Sequence, residues 1–111
     1  MYQFSVQNPK DRKAGVQLIR SLTILPIQEI QKAIENNLPI VSFNYRDDIV
    51  ELGFGEWIEK VKTTYAQLSR EFENVTIGYS FKNDAAIELV DEKKFFSLLK
   101  LEVEVRNDEH E

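Results

Sequence analysis

The stretch that decides the fold is residues 56–81, EWIEKVKTTYAQLSREFENVTIGYSF. In its first two-thirds, apolar residues recur every three or four positions, which predicts a helix over about 56–73 with one apolar face. The residues of that face are Ile58, Val61, Tyr65, Leu68 and Phe72. After Asn74, which should end the helix, the apolar period changes to two and predicts a half-buried strand over about 75–81. We therefore expect helices packed on a sheet.

The N-terminal third predicts one strand and two helices. Apolar and polar residues alternate over 2–7, which is typical of a half-buried strand. Asp11 is a good N-cap for a helix that continues to about Thr23. Pro26 suits the first turn of a second helix, which Asn36-Asn37 should close.

Two hairpins are expected around the long helix. Residues 39–54 alternate on both sides of the polar turn Arg46-Asp47-Asp48, which predicts the first hairpin. Asp84 lies in a second polar turn, after which residues 86–90 could return as a strand.

The C-terminal segment predicts a short helix, a last strand and a tail. Asp91 can cap a short helix that carries the apolar run around Phe95–Leu99. From Leu101 to Arg106 apolar and charged residues alternate, which predicts the last strand. Residues 107–111 are all polar, so we expect a disordered acidic tail.

These elements predict one α+β domain over residues 1–106. Its order is β-α-α-β-(β)-α-β-(β)-α-β, with a mixed or antiparallel sheet of about four to six strands packed against three or four helices. The 111 residues are close to the commonest domain length. Such a chain buries roughly two-thirds of its unfolded surface and needs no disulfide or metal to fold. It contains no cysteine, which excludes disulfides and cysteine-based zinc sites.

Charge is unevenly distributed along the chain. The net charge is −5, yet residues 1–46 hold six basic and three acidic residues, whereas residues 47–111 hold eight basic and sixteen acidic ones. An acidic majority disfavours nucleic acid and favours basic partners. A solvated acidic surface that only maintains solubility is an equally open explanation. The N-terminus does not resemble a signal peptide and no apolar run is long enough to span a bilayer, so we expect a cytoplasmic protein.

The residues that usually carry chemistry are few. His110, the only histidine, lies in the predicted tail, where a general acid or base would not be positioned. Two carboxylate clusters, Asp47-Asp48 with Glu51 and Asp84 with Glu88, lack the spacing of an EF-hand. Asp in a hairpin turn is common for backbone reasons alone. We therefore predict no enzymatic activity, no cofactor and no metal site.

Ile19–Thr23, Leu25–Ile30 and Ala33–Glu35 resemble the C-terminal domain of the bacterial ribosomal stalk protein, whose fold is similar to that of the Clp protease adaptor. The resemblance covers residues 2–45 and implies a strand-helix-helix-strand opening. It also implies an adaptor or translation-associated module whose surface is the basic first helix. The chain has Ile24 where the family turn has glycine, and it lacks most of the family's lysines. The resemblance therefore implies topology more than function.

The combined features favour a small acidic non-catalytic binding protein. The clearest such role is a bacterial immunity protein or antitoxin that inhibits a basic nuclease toxin by occluding its active site. The alternatives are the adaptor that the resemblance implies and an enzyme of unrecognised type. The sequence leaves the partner's identity and the oligomeric state open. The residues predicted to contact the partner are Asp47, Asp48, Glu51, Glu56, Glu59, Asp84, Glu88, Asp91 and Glu92.

Overall fold

The structure, a computed structural model, describes residues 1–44, 53–80 and 86–109. The strands and helices are β1 (Tyr2–Pro9), α1 (Arg12–Leu22), α2 (Ile27–Glu35), β2 (Val41–Phe43), α3 (Phe54–Glu71), β3 (Phe72–Tyr79), β4 (Glu88–Val90) and α4 (Glu92–Glu109). The α+β fold class predicted from the sequence is confirmed, with four strands in one antiparallel sheet and four helices in the described part of the chain.

The sheet has the strand order β2-β1-β3-β4, and every neighbouring pair is antiparallel. β1 pairs with β3 along almost its whole length, from Tyr2 opposite Tyr79 to Pro9 opposite Phe72. Residues directly opposite each other in such pairs lie on the same face of the sheet. The pairing therefore sorts the side chains of the four strands into two faces.

One face of the sheet is apolar and covered by the helices. Tyr2, Phe4 and Val6 of β1 are completely buried there and belong to one continuous core with residues of all four helices. An aromatic cluster forms its centre, because the rings of Tyr2 and Phe4 both meet the Phe95 ring edge-on, at centroid distances of 5.4 and 5.7 Å. Such edge-to-face contacts are the favoured geometry of aromatic pairs.

The opposite face is polar. Gln3, Gln7, Ser42 and Thr76 alternate with the buried residues and are exposed or half-buried. In the described residues, Ile87 is the large apolar side chain that reaches over this face near Gly78. A Cβ atom at Gly78 would lie 2.7 Å from Ile87 Cγ2, so this close approach requires glycine.

The two predicted N-terminal helices form as expected. Asp11 caps α1, because its Oδ1 accepts hydrogen bonds from the backbone N–H groups of Lys13 and Ala14. α2 follows Pro26 and ends at Glu35, with Asn36 as its C-cap, and Asn37 then adopts a left-handed φ of 53°. Asparagine tolerates this conformation better than most residues, which explains the helix stop.

α3 passes directly into β3 with no intervening loop. The helix ends at Glu71, so the prediction of a helix to about residue 73 with Asn74 ending it is wrong by two residues. The backbone N–H of Phe72 still donates to the carbonyl of Leu68, but Phe72 itself has an extended backbone conformation. The Phe72 side chain is buried although it belongs to the strand. It therefore continued the apolar spacing of the helix by one residue, and the sequence alone could not separate it from α3.

The predicted last strand over Leu101–Arg106 is wrong, because α4 continues through it to Glu109. The residues of α4 that face the core, Phe95, Leu98, Leu99 and Val103, are spaced as on one side of a helix. α4 also includes the first three residues of the predicted tail, 107–109.

The two hairpins are only partly within the described residues. β2 is the first strand of the predicted 39–54 hairpin, and it pairs with β1. Its predicted return strand falls largely on residues 45–52, outside the described part, while Phe54 begins α3 and is not in a strand. The second return strand is confirmed as β4, which pairs with β3.

Candidate partner-binding surface

One row of paired residues crosses the whole sheet at one end. Phe43 lies opposite Tyr2, Tyr2 opposite Tyr79, and Tyr79 opposite Glu88. We call this row and the start of α3 the sheet end. The start of α3 lies beside this row, as shown by Trp57 in its first turns, whose ring centroid is 6.0 Å from that of Tyr2.

Four of the nine predicted contact residues belong to the two segments that join the sheet end. The chain leaves the row after Phe43 and after Tyr79, and it enters α3 at Phe54 and β4 at Glu88. The intervening segments 45–52 and 81–85 contain Asp47, Asp48, Glu51 and Asp84, which lie outside the described residues.

Glu56 and Glu59 are exposed on the first turns of α3, on either side of the buried Trp57 and Ile58. Gly53 is the N-cap and offers no side-chain oxygen to the first N–H groups of the helix. Glu56 therefore complements the partial positive charge at the start of α3. The buried neighbours hold the helix against the sheet, so both carboxylates stand on a rigid support.

Glu88, Asp91 and Glu92 each have a local structural role. The Lys94 Nζ lies 2.9 Å from Glu88 Oε1, in an ion pair whose side chains are at least half exposed. The backbone N–H of Lys94 donates to Asp91 Oδ1 over 2.7 Å, which caps α4, and Glu92 lies in the first turn of that helix. An exposed ion pair contributes only about 0–1 kcal/mol, so Glu88 stays available to a partner.

The structure brings some of the predicted contacts together and separates others. Glu88 is in the sheet-end row itself, and Glu56 and Glu59 lie on the helix that starts there. Asp91 and Glu92 follow Val90, which pairs with Ile77 further into the sheet. At about 3.3 Å per residue along the strand, Asp91 lies roughly 10 Å from the sheet-end row. Asp91 and Glu92 are therefore separate from the other predicted contact residues.

Glu102 is a residue of the sheet end that sequence reasoning missed. It is half-buried on the inner side of α4, and its charge acts on Tyr2, Tyr79 and the amino group of Met1. The predicted strand placed it on an exposed face. The helical spacing Phe95, Leu98, Leu99, Glu102 could have identified it as facing inward.

The electrostatics of this cluster are dominated by burial. Burial raises the pKa of Tyr2, and the neighbouring Glu102 and Tyr79 raise it further. Burial also raises the pKa of Tyr79, with Glu102 again contributing. The Met1 amino group donates to the Ser80 carbonyl oxygen over 2.8 Å, and its pKa is lowered by burial and partly restored by Glu102.

Within residues 1–44, 53–80 and 86–109, no three His, Asp or Glu side chains come together as metal ligands. In that same part of the chain, none of the helices has the length and apolar character needed to cross a membrane.

No protein-family model, no curated protein and no solved structure matches this chain. The resemblance to the ribosomal stalk C-terminal domain therefore stays a prediction. Function has to be argued from the geometry and charge of the chain itself.

Proposed function

We propose that this chain is a small, acidic, non-catalytic binding protein that neutralises a basic protein partner. The observation that carries the proposal is a set of exposed carboxylates at the described part of the sheet end. Glu88 lies in the row of paired residues, and Glu56 and Glu59 lie on the first turns of α3. The chain as a whole has a net charge of −5.

The partner that fits this surface best is a bacterial nuclease toxin. A nuclease must hold phosphate groups in a basic groove, and an acidic protein surface can occupy that groove in place of the nucleic acid. Opposite charges also accelerate the encounter of two proteins, which matters for an inhibitor that must act before its target does. We place this action in the cytoplasm.

The support beneath the carboxylates favours tight binding. Trp57 and Tyr2 are buried directly under the sheet end and are in ring contact. A rigid surface loses little conformational entropy when it binds, so more of its interaction energy appears as affinity.

The test uses the purified chain and the basic nuclease domain encoded nearest to its gene. We expect a stoichiometric complex on a sizing column and loss of nuclease cleavage at equimolar inhibitor. Raising the salt concentration should slow association, because the encounter is electrostatic. A nuclease that stays fully active with excess chain, and does not co-elute with it, would contradict the proposal.

A second candidate function is the adaptor that the family resemblance implies. It is favoured by the β1-α1-α2-β2 opening and by three basic residues, Arg12, Lys13 and Arg20, exposed on α1. A pull-down from bacterial lysate separates the two functions. Enrichment of ribosomes or translation factors would favour the adaptor, and enrichment of one basic toxin would favour the inhibitor.

A further inference from the structure

The turn between α1 and α2 exposes large apolar side chains to solvent. Ile24 is completely exposed, and Leu25 and Ile27 are each more than one-third exposed. The turn needs no apolar residue for its own geometry. Soluble proteins rarely display neighbouring apolar side chains without a partner, because burying each one in an interface is favourable.

This turn is held in one conformation. The Thr23 hydroxyl donates to the carbonyl of Ile19 over 3.2 Å and accepts from the N–H of Leu25 at 3.3 Å. The Thr23 N–H also donates to the Ile19 carbonyl, and the Ile30 N–H donates to the Pro26 carbonyl at the start of α2. Ile24 therefore projects from a hydrogen-bonded turn, and we call its side chain the knob.

A groove lies beside the knob. Residues 20–25 form one wall and residues 40–42 form the other, around a volume of about 690 Å³. Leu22, Ile40 and Val41 make this groove largely apolar. We call the knob and the groove together the helix corner.

The charges that flank the helix corner have opposite signs on its two helices. α1 carries Arg12, Lys13 and Arg20 and no acidic residue, whereas α2 carries Glu29 and Glu35 with one lysine. Arg20 is two residues before the end of α1, and Glu29 is two residues after the start of α2. Both side chains are exposed.

We propose that the helix corner binds the helix corner of a second copy of this chain. A twofold contact requires one surface patch that is complementary to itself, so that each residue i meets residue j of the other copy and the reverse. The helix corner has this property in shape, with a knob beside a groove. The charges are also complementary to themselves, because a basic residue ends α1 and an acidic residue begins α2. In the proposed dimer, Arg20 of each copy would face Glu29 of the other.

The proposed dimer and the proposed inhibitor function use different residues. None of the carboxylates of the sheet end belongs to the helix corner. A dimer would therefore present two separate sheet ends. A variant that no longer dimerises can still be tested for inhibition, and a variant that no longer inhibits can still be tested for dimerisation.

Sedimentation velocity on the purified chain, from about 5 to about 500 µM, tests the dimer directly. We expect a concentration-dependent monomer–dimer equilibrium. Ile24→Asp should weaken it by about a hundredfold, because the side chain is buried twice in a twofold contact. Leu89→Asp is the matched control, since Leu89 is also strongly exposed but lies on β4, and it should leave the dimer unchanged.

A charge exchange identifies the second copy as the occupant. Arg20→Glu and Glu29→Arg should each weaken the dimer, by about five- to tenfold, and the double variant should restore it. Circular dichroism would verify that each variant is folded. A chain that is monomeric at every concentration, a dimer insensitive to Ile24→Asp, or a double variant no tighter than the singles would each overturn the proposal.

Discussion

The two faces of the sheet differ in what they contribute. The helix-covered face buries Tyr2, Phe4 and Val6 completely, and its aromatic rings reach α3 and α4. On the other face Gln3 and Gln7 of the same strand are half-buried.

This difference means that stability is concentrated on one side of β1. Burial of apolar surface is the main favourable term in folding, and the polar face supplies little of it. The exposed carboxylates of the sheet end lie outside the core, although Trp57 and Tyr2 support them from within. Changes of these exposed carboxylates should therefore alter binding without unfolding the chain.

The largest predicted effect compares two adjacent residues of β1. Phe4→Ala should destabilise the protein by about 3–5 kcal/mol, because it removes a buried ring from the aromatic cluster and leaves a cavity. Gln3→Ala, one position away on the other face, should change stability by less than about 0.5 kcal/mol. Urea unfolding followed by circular dichroism measures both. Similar losses in the two variants would show that the two faces contribute equally.

A smaller effect comes from the same substitution at two glycines. At Gly15 in α1, an added Cβ would lie 3.0 Å from Pro9 Cβ and 3.1 Å from Phe72 Cζ. Neither neighbour is a flexible chain end, so Gly15→Ala should cost about 1–3 kcal/mol. At Gly55 in α3 nothing lies within 4 Å, and Gly55→Ala should stabilise by up to about 1 kcal/mol. Thermal unfolding should show changes of opposite sign, and equal signs would refute this packing of α1.

The smallest predicted effect is the pH dependence that the buried Tyr2 gives to the unfolding free energy at alkaline pH. Since the pKa of Tyr2 is raised in the folded protein, the unfolded chain loses this proton first. The stabilisation is fully present below the ordinary tyrosine pKa of about 10 and is lost as the pH rises above it. Tyr2→Phe should therefore flatten the fall in unfolding free energy above about pH 10. Equal slopes in the two proteins would show that Tyr2 does not titrate in this way.

Long periodic segments were predictable from the sequence, and short ones were not. The 18 residues of α3 carry apolar residues every three or four positions, which excludes a strand. In β1, apolar and polar residues alternate over six positions, which excludes a helix. Over Leu101–Val105 the alternation of three apolar residues fits either structure. The packing of Phe95 and Leu99 against the core decides for a helix there.

The candidate site was predictable only in part, for a different reason. Counting carboxylates located Glu56, Glu59 and Glu88, which the structure shows to be exposed. The sequence also identified Asp91 as a helix cap, because capping is a local interaction, and the structure confirms it. Counting carboxylates could not show that Glu102 faces the tyrosines, because this depends on which side of α4 is buried. Burial of this kind arises from tertiary packing, which residue type does not reveal.

The measurement that tests the central claim most directly is the rate of association with the nuclease domain, followed by stopped-flow fluorescence at low salt. The test variant is Glu56→Lys/Glu59→Lys at the sheet end. The control is Glu35→Lys/Glu73→Lys, which changes the net charge equally at exposed positions, one at the end of α2 and one at the far end of β3. We predict that the test variant associates at least about tenfold more slowly and the control stays within about twofold of wild type. Equal slowing of both variants would contradict the claim, because the acidic residues would then act only through net charge.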